Sequence, residues 1–222
     1  MSSQDFSEKL REDAASIWDR ILEHPFHKEM DDGTLPLEKF RFYAKQDYAY
    51  LIEFARCLGL AAAKAEDMET MRVFASLLEA SLTVEIEMLE ELCGRIGVSP
   101  IQMREAEPAP TNVAYTRHLL HVAHSGTVGE IMAATLPCMW SYQEIGERLE
   151  GGADHPIYSQ WGATYRSQEY ADLVGMFKKL TDRFAEESGP TVRDRMRSHF
   201  ILSSRFEYMF WEMAHKMESW PV

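Results

Sequence analysis

Apolar residues recur along most of this chain at intervals of three and four. Over residues 5–24, Phe6, Leu10, Ala14, Ile17, Ile21 and Leu22 keep the spacing of one amphipathic helix, which His24-Pro25 should end. After a short connection, Pro36 stands near the start of a second, which runs to about residue 65 with Phe40, Tyr43, Asp47, Tyr50 and Phe54 along it. A third is expected over about 67–97, closed by Gly97-Val98-Ser99-Pro100. The stretch Glu105-Ala106-Glu107-Pro108-Ala109-Pro110 reads as a loop. Thr111 or Asn112 should then cap a helix carrying Tyr115, Leu119, Leu120 and Ala123, with Gly126 at its end. Thr127-Val128-Gly129-Glu130 has the capping-box pattern and opens a helix to Glu150, where Gly151-Gly152 would stop it. Helices over about 156–165 and 167–187 follow, and Gly189-Pro190-Thr191 precedes a last one over about 191–219. No alternating strand pattern and no internal repeat interrupts this series. The expectation is one all-α domain over residues 1–222, a bundle of antiparallel helices whose ligand site, if any, lies where facing helices meet.

Charge narrows the function. The net charge of −13 comes from 36 acids against 23 bases, and the bases form no run that could track a phosphate backbone, so nucleic acid is a poor partner. The polar start Met1-Ser2-Ser3-Gln4-Asp5-Phe6 and the lack of any apolar run near ~18 residues predict a cytoplasmic protein without a membrane span. Cys57, Cys93 and Cys138 are an odd number without C-x-x-C spacing, which suggests neither a disulfide framework nor a zinc site.

Three aromatic-rich segments carry the candidate chemistry: Gln46-Asp47-Tyr48-Ala49-Tyr50-Leu51, Leu136-Pro137-Cys138-Met139-Trp140-Ser141-Tyr142, and Ser204-Arg205-Phe206-Glu207-Tyr208-Met209-Phe210-Trp211. Each sets one reactive group among rings. Asp47 shares a helix face with Tyr43, Tyr50 and Phe54, and Glu207 shares one with Phe210 and Trp211. Pro137 removes an N–H and crowds the carbonyl of Ala133, so a kink is expected where the Cys138 thiol projects. Structural explanations compete with each. Asp47 could be a boundary acid bonded to a tyrosine, Cys138 a small buried hydrophobe like Cys57 and Cys93, and Glu207 an acid paired with Arg195 or Arg205. Metal ligation has weaker support: Glu212-x-x-His215, His121-x-x-His124 and His24-x-x-His27 fit single helix faces, but a di-iron bundle repeats such elements with more carboxylates. His118, His121 and His124 are expected along a polar flank.

In order and spacing the chain resembles the TenA family, the thiaminase II proteins. The resemblance rests on Tyr43-Ala44-Lys45-Gln46-Asp47-Tyr48-Ala49-Tyr50-Leu51, Thr111-Asn112-Val113-Ala114-Tyr115, Leu136 to Gly146, His155-Pro156-Ile157-Tyr158 with Trp161 and Tyr165, and Ser204 to Trp211. It implies a haem-oxygenase-like all-α bundle, assembled as a homotetramer and needing no cofactor. It also implies a hydrolase of thiamin salvage acting on thiamin or on 4-amino-5-aminomethyl-2-methylpyrimidine, releasing 4-amino-5-hydroxymethyl-2-methylpyrimidine. By that resemblance Cys138 is the nucleophile, Glu207 exchanges a proton with the ring, and Asp47 binds the pyrimidine amino edge and holds the nucleophile. Tyr50, Tyr115, Tyr142, Tyr165 and Phe210 match the aromatic wall. A pyrimidine-binding regulatory protein without turnover and a metal-dependent oxidase on the same scaffold are the alternatives.

Overall fold

The structure is a computed structural model that describes residues 4–149 and 155–222. The first apolar stretch forms two helices, α1 (Phe6–Asp13) and α2 (Ala15–Leu22), because Ala14 leaves helical geometry at φ −100° and ψ 6°. A third, α3 (Pro25–Asp31), begins where the sequence suggested only an end. Proline has no N–H to lose at the first helical position, and His24 caps it by accepting from the Phe26 N–H through Nδ1 at 3.1 Å. After Pro36 comes α4 (Leu37–Lys64), close to its expected bounds.

The expected 67–97 helix is present as α5 (Met68–Ala80) and α6 (Ile86–Arg95), joined without a break by a π turn at Ser81–Glu85. A further short helix, α7 (Pro100–Arg104), opens on a Ser99–Gln102 capping box, so Ser99-Pro100 starts an element as well as ending one. The next helix, α8 (Pro110–Ser125), begins one residue before the expected Thr111 cap: Ala109 precedes it without a side-chain cap, and Pro110 is its first residue. The anchoring comes from α4 instead. Gln46 Oε1 accepts from the Ala109 N–H at 2.9 Å, and Asn112 donates to the Gln46 carbonyl at 2.8 Å.

The capping box at Thr127 and Glu130 does open α9 (Val128–Arg148), with Thr127 N–H donating to Glu130 Oε2 at 2.9 Å. Glu150 and the Gly151-Gly152 stop lie outside the described residues. Three more helices complete the chain: α10 (Pro156–Tyr165), α11 (Gln168–Glu186) and α12 (Pro190–Lys216). Among the described residues there is no strand, and no helix is long and apolar enough to cross a membrane.

The centre of the bundle is α9, which packs against α8, α10, α11 and α12. Every residue from Gly129 to Tyr142 is buried, as expected of a helix surrounded by others and apolar on all sides. Helical geometry continues through Pro137, whose missing N–H leaves the Ala133 carbonyl without its i+4 donor. At the far end of α9, Gly146 lets α10 approach closely: a Cβ there would stand 2.8 Å from Tyr165 Cβ and 2.9 Å from its carbonyl carbon. Alanine would gain roughly 0.5–1 kcal/mol of helix stability over glycine, but a packed backbone cannot step aside, and overpacking typically costs about 1–3 kcal/mol. Gly146→Ala is therefore expected to lower stability in urea denaturation and to shift Tyr165. A variant as stable as the parent would refute this close contact.

Candidate active site

Helix periodicity delivers the side chains in pairs. On α4, Asp47 and Tyr50 are three apart; on α9, Cys138 and Tyr142 are four apart; on α12, Glu207 and Phe210 are three apart. With Tyr115 from α8 and Tyr165 from α10, all eight expected residues line one cavity. Rings meet around it at Tyr50–Tyr115 (centroids 5.2 Å apart), Tyr50–Phe210 (5.8 Å) and Tyr142–Tyr165 (5.0 Å). Trp211, expected on the same face as Glu207, lies fully buried against Tyr43 and Tyr142 and does not line the cavity.

Asp47 is buried. The Tyr43 hydroxyl donates to its Oδ2 at 3.4 Å and itself accepts from Trp161 Nε1–H at 3.1 Å, with the Tyr142 hydroxyl 3.5 Å away. Burial pushes its carboxyl up to about 8, the negative charge of Glu85 adds to this, and the Tyr43 contact only partly opposes it. A long tyrosine bond is therefore present, as the structural explanation required, but it leaves the acid far from satisfied.

The Cys138 thiol donates to the Thr135 carbonyl at 2.9 Å. Burial and then the nearby Glu207 carboxylate hold it protonated well above the ordinary thiol range. The Tyr50 hydroxyl favours the thiolate from across the gap, yet it makes no hydrogen bond of ordinary geometry. Cys57 and Cys93 are buried outside this cavity, and burial raises both thiols to about 12.

Glu207 accepts from the Tyr115 hydroxyl at 2.6 Å and from the Ser141 hydroxyl at 3.3 Å. Even so, burial pushes its carboxyl up to about 7. The suggested partner Arg195 instead bonds Glu130 at 2.7 Å, and Arg205 is exposed on the opposite side of α12.

The histidines are engaged elsewhere. His24 contacts Glu212 at 3.0 Å, His215 contacts Glu29 at 2.9 Å, and His118 contacts Ser203 at 3.1 Å. His121 and His124 are exposed along α8, as expected of a polar flank. Among the described residues no group of three or more His, Cys, Asp or Glu is arranged to hold a metal ion.

Residues 11–217 match the TENA/THI-4/PQQC family. The chain belongs to this family. This TENA/THI-4/PQQC member is 38% identical over 218 residues, 97% of each chain, to the aminopyrimidine aminohydrolase of Halalkalibacterium halodurans. It matches the solved TenA homologue of P. horikoshii OT3 with a TM-score of 0.90 at 38% identity, covering 96% of this chain and 99% of that one. A domain of unknown function with a heme oxygenase-like fold from Shewanella denitrificans is 15% identical, with a TM-score of 0.76 over 95% of this chain and 92% of that one. That last likeness concerns the fold alone, and it bears out the haem-oxygenase-like bundle.

Among the lining residues absent from the expected set, two stand out. Glu85 enters from the π turn, and Tyr170 enters from α11, its ring edge-on to Tyr165 at 5.0 Å. Glu85 stands four residues before Leu89 and seven before Leu92, an acid in line with buried leucines, and that spacing was its visible signal.

Proposed function

We propose that this protein is an aminopyrimidine aminohydrolase, or thiaminase II: a single-domain hydrolase of thiamin salvage that uses Cys138 as its nucleophile. The observation that carries the reading is one aromatic-walled cavity holding a thiol and two carboxyls, Asp47 and Glu207, raised to about 8 and about 7. The naming of its full-length relative as an aminopyrimidine aminohydrolase supports it.

A flat aminopyrimidine would lie among Tyr50, Tyr115, Tyr142, Tyr165 and Phe210, with its amino edge donating to Asp47. Such a ring resists a nucleophile until a ring nitrogen is protonated. Glu207, neutral below about pH 7, is the acid that supplies that proton. As Glu207 gives it up, the Cys138 sulfur adds at C6 and the thiol proton passes to the Glu207 carboxylate so formed, on the same cavity wall. The exocyclic carbon then releases its amine or thiazole, takes up water, and departure of sulfur restores the ring. The net exchange is water in and leaving group out.

The protonated resting thiol also favours a second reading, a protein that binds pyrimidine without turnover. Product analysis separates the two. Incubation with the aminomethylpyrimidine and with thiamin, followed by chromatography, is expected to show hydroxymethylpyrimidine; tight binding of the ring with no product would leave only the binding role.

Asp47→Asn keeps the shape but removes the carboxyl, neutral up to about pH 8 in the empty cavity, that the amino edge of the protonated ring would draw into its charged, accepting form. A hydrogen bond to a charged group is worth about 1.5–3 kcal/mol, so affinity should fall by about one to two decades and turnover should slow. Steady-state kinetics measure both. Unchanged constants would assign Asp47 to the Tyr43 and Trp161 network alone.

We further propose a cytoplasmic homotetramer. The three free cysteines suit a reducing compartment, and Leu202 and Met209 expose apolar surface on α12. Light scattering at four times the mass of one chain would support the assembly.

A further inference from the structure

Charge in the cavity is unbalanced. Its wall carries three carboxyls, Asp47, Glu85 and Glu207, and among the described residues that line it there is no Lys, Arg or His. The chemistry proposed above employs two of the three. Burial holds all three acids toward the protonated form, Glu85 included, so each is free to ionise against a cation that the ligand brings, and the third is the one without an assigned partner.

The position of Glu85 says which part of the ligand. Its Oε2 accepts from the Ser81 hydroxyl at 2.9 Å, both residues belonging to the π turn. It borders two spaces at once: the one shared with Asp47, Cys138 and Glu207, and a roomier annex of about 260 Å³. Phe54, Leu58, Leu77, Met139, Leu173 and Phe177 wall the annex, the exposed Glu169 stands at its rim, and it touches neither Asp47 nor Glu207. A ring held at its amino edge by Asp47 and at a ring nitrogen by Glu207 thus has Glu85 and open apolar space to one side. Both candidate substrates put a positive charge on the substituent that departs: an ammonium at neutral pH in the aminomethylpyrimidine, and a permanently charged thiazolium in thiamin. The hydroxymethyl product has none.

We propose that Glu85 and the annex behind it form the leaving-group subsite, with the carboxylate facing the cationic substituent and the annex taking a group as large as thiazolium. The inference rests on the pyrimidine reading of the site. As the C–N bond breaks, its electron pair goes to nitrogen and the departing group becomes neutral, so the Glu85 contact belongs to the bound substrate and is lost in the product.

Calorimetry on the Cys138→Ser protein, where no turnover intervenes, tests this at neutral pH with three probes: aminomethylpyrimidine, thiamin and the neutral hydroxymethylpyrimidine. Both cations are expected to bind about ten- to a hundredfold tighter than the alcohol, and adding Glu85→Gln should erase most of that ratio without weakening the alcohol. Leu173→Trp, which fills the annex, should weaken thiamin at least about tenfold and spare the aminomethylpyrimidine. Equal binding of all three probes to Cys138→Ser, a ratio that survives Glu85→Gln, or thiamin affinity untouched by Leu173→Trp would each overturn the subsite. Failure of Cys138→Ser and wild type to bind any probe would instead refute the pyrimidine reading on which the subsite rests.

Discussion

Replacing Cys138 with serine is expected to abolish hydrolysis of both substrates while the protein folds and still binds the ring. The hydroxyl is close in size and can donate to the Thr135 carbonyl as the thiol does at 2.9 Å, so the interior of α9 has no reason to rearrange. Chemistry is another matter. The thiol is already held protonated by burial and by Glu207, and a hydroxyl in the same place is far harder to ionise and less nucleophilic. Loss of a covalent nucleophile typically costs on the order of 10³–10⁶-fold in turnover. Quantifying hydroxymethylpyrimidine under saturating substrate, beside a thermal melt matching the parent, checks both halves. A serine protein working at near-parental rate would rule out the covalent route.

Glu207→Gln should also lose turnover, by about 10²–10⁴-fold, since the amide can hydrogen-bond the ring but cannot exchange a proton with it. In the proposed mechanism the active form is the neutral acid. With the carboxyl raised to about 7, the wild-type single-turnover rate should fall as pH rises through that value, and the variant should lack this basic limb. Rates from about pH 5 to 9 decide it; the same limb in both proteins would mean that another group titrates. Stability gives an independent reading. A carboxyl whose folded value lies above its unfolded value of 4.5 favours the folded state only while protonated. That contribution is complete below the unfolded value and is lost as pH rises through about 7. The glutamine variant does not titrate, so its melting temperature should drop less than the parent's between pH 5 and 8. Equal slopes would show that Glu207 ionises in the folded protein as easily as in the unfolded one.

Much of the site was legible because its pairs are local. Asp47 with Tyr50, Cys138 with Tyr142 and Glu207 with Phe210 fall on common helix faces by spacing alone, and the capping box at Thr127 announced the start of the helix that carries the thiol. Errors arose where distant contacts outweighed local signals. Thr111 looked like a cap, yet α8 is anchored by Gln46 of α4, sixty-odd residues away in the chain. Arg195 looked like a partner for Glu207, yet Glu130, already placed by its cap, takes it. His24-Pro25 looked like a terminator and is also the opening of α3.

The sequence by itself determined the helical class, the faces on which acids, thiol and rings sit, and the family to which the chain belongs. Helical hydrogen bonds join residues four apart, so a chain of this kind writes its periodicity locally. Only the tertiary structure decided which faces meet. It enclosed α9, brought Glu85 on its π turn beside Cys138 and Asp47, and left three acids in a cavity without a base among its described lining residues. The raised proton affinities of Asp47 and Glu207 follow from that enclosure. Desolvation depends on every neighbour that displaces water, and those neighbours arrive from α4, α8, α9 and α12, segments far apart in the chain.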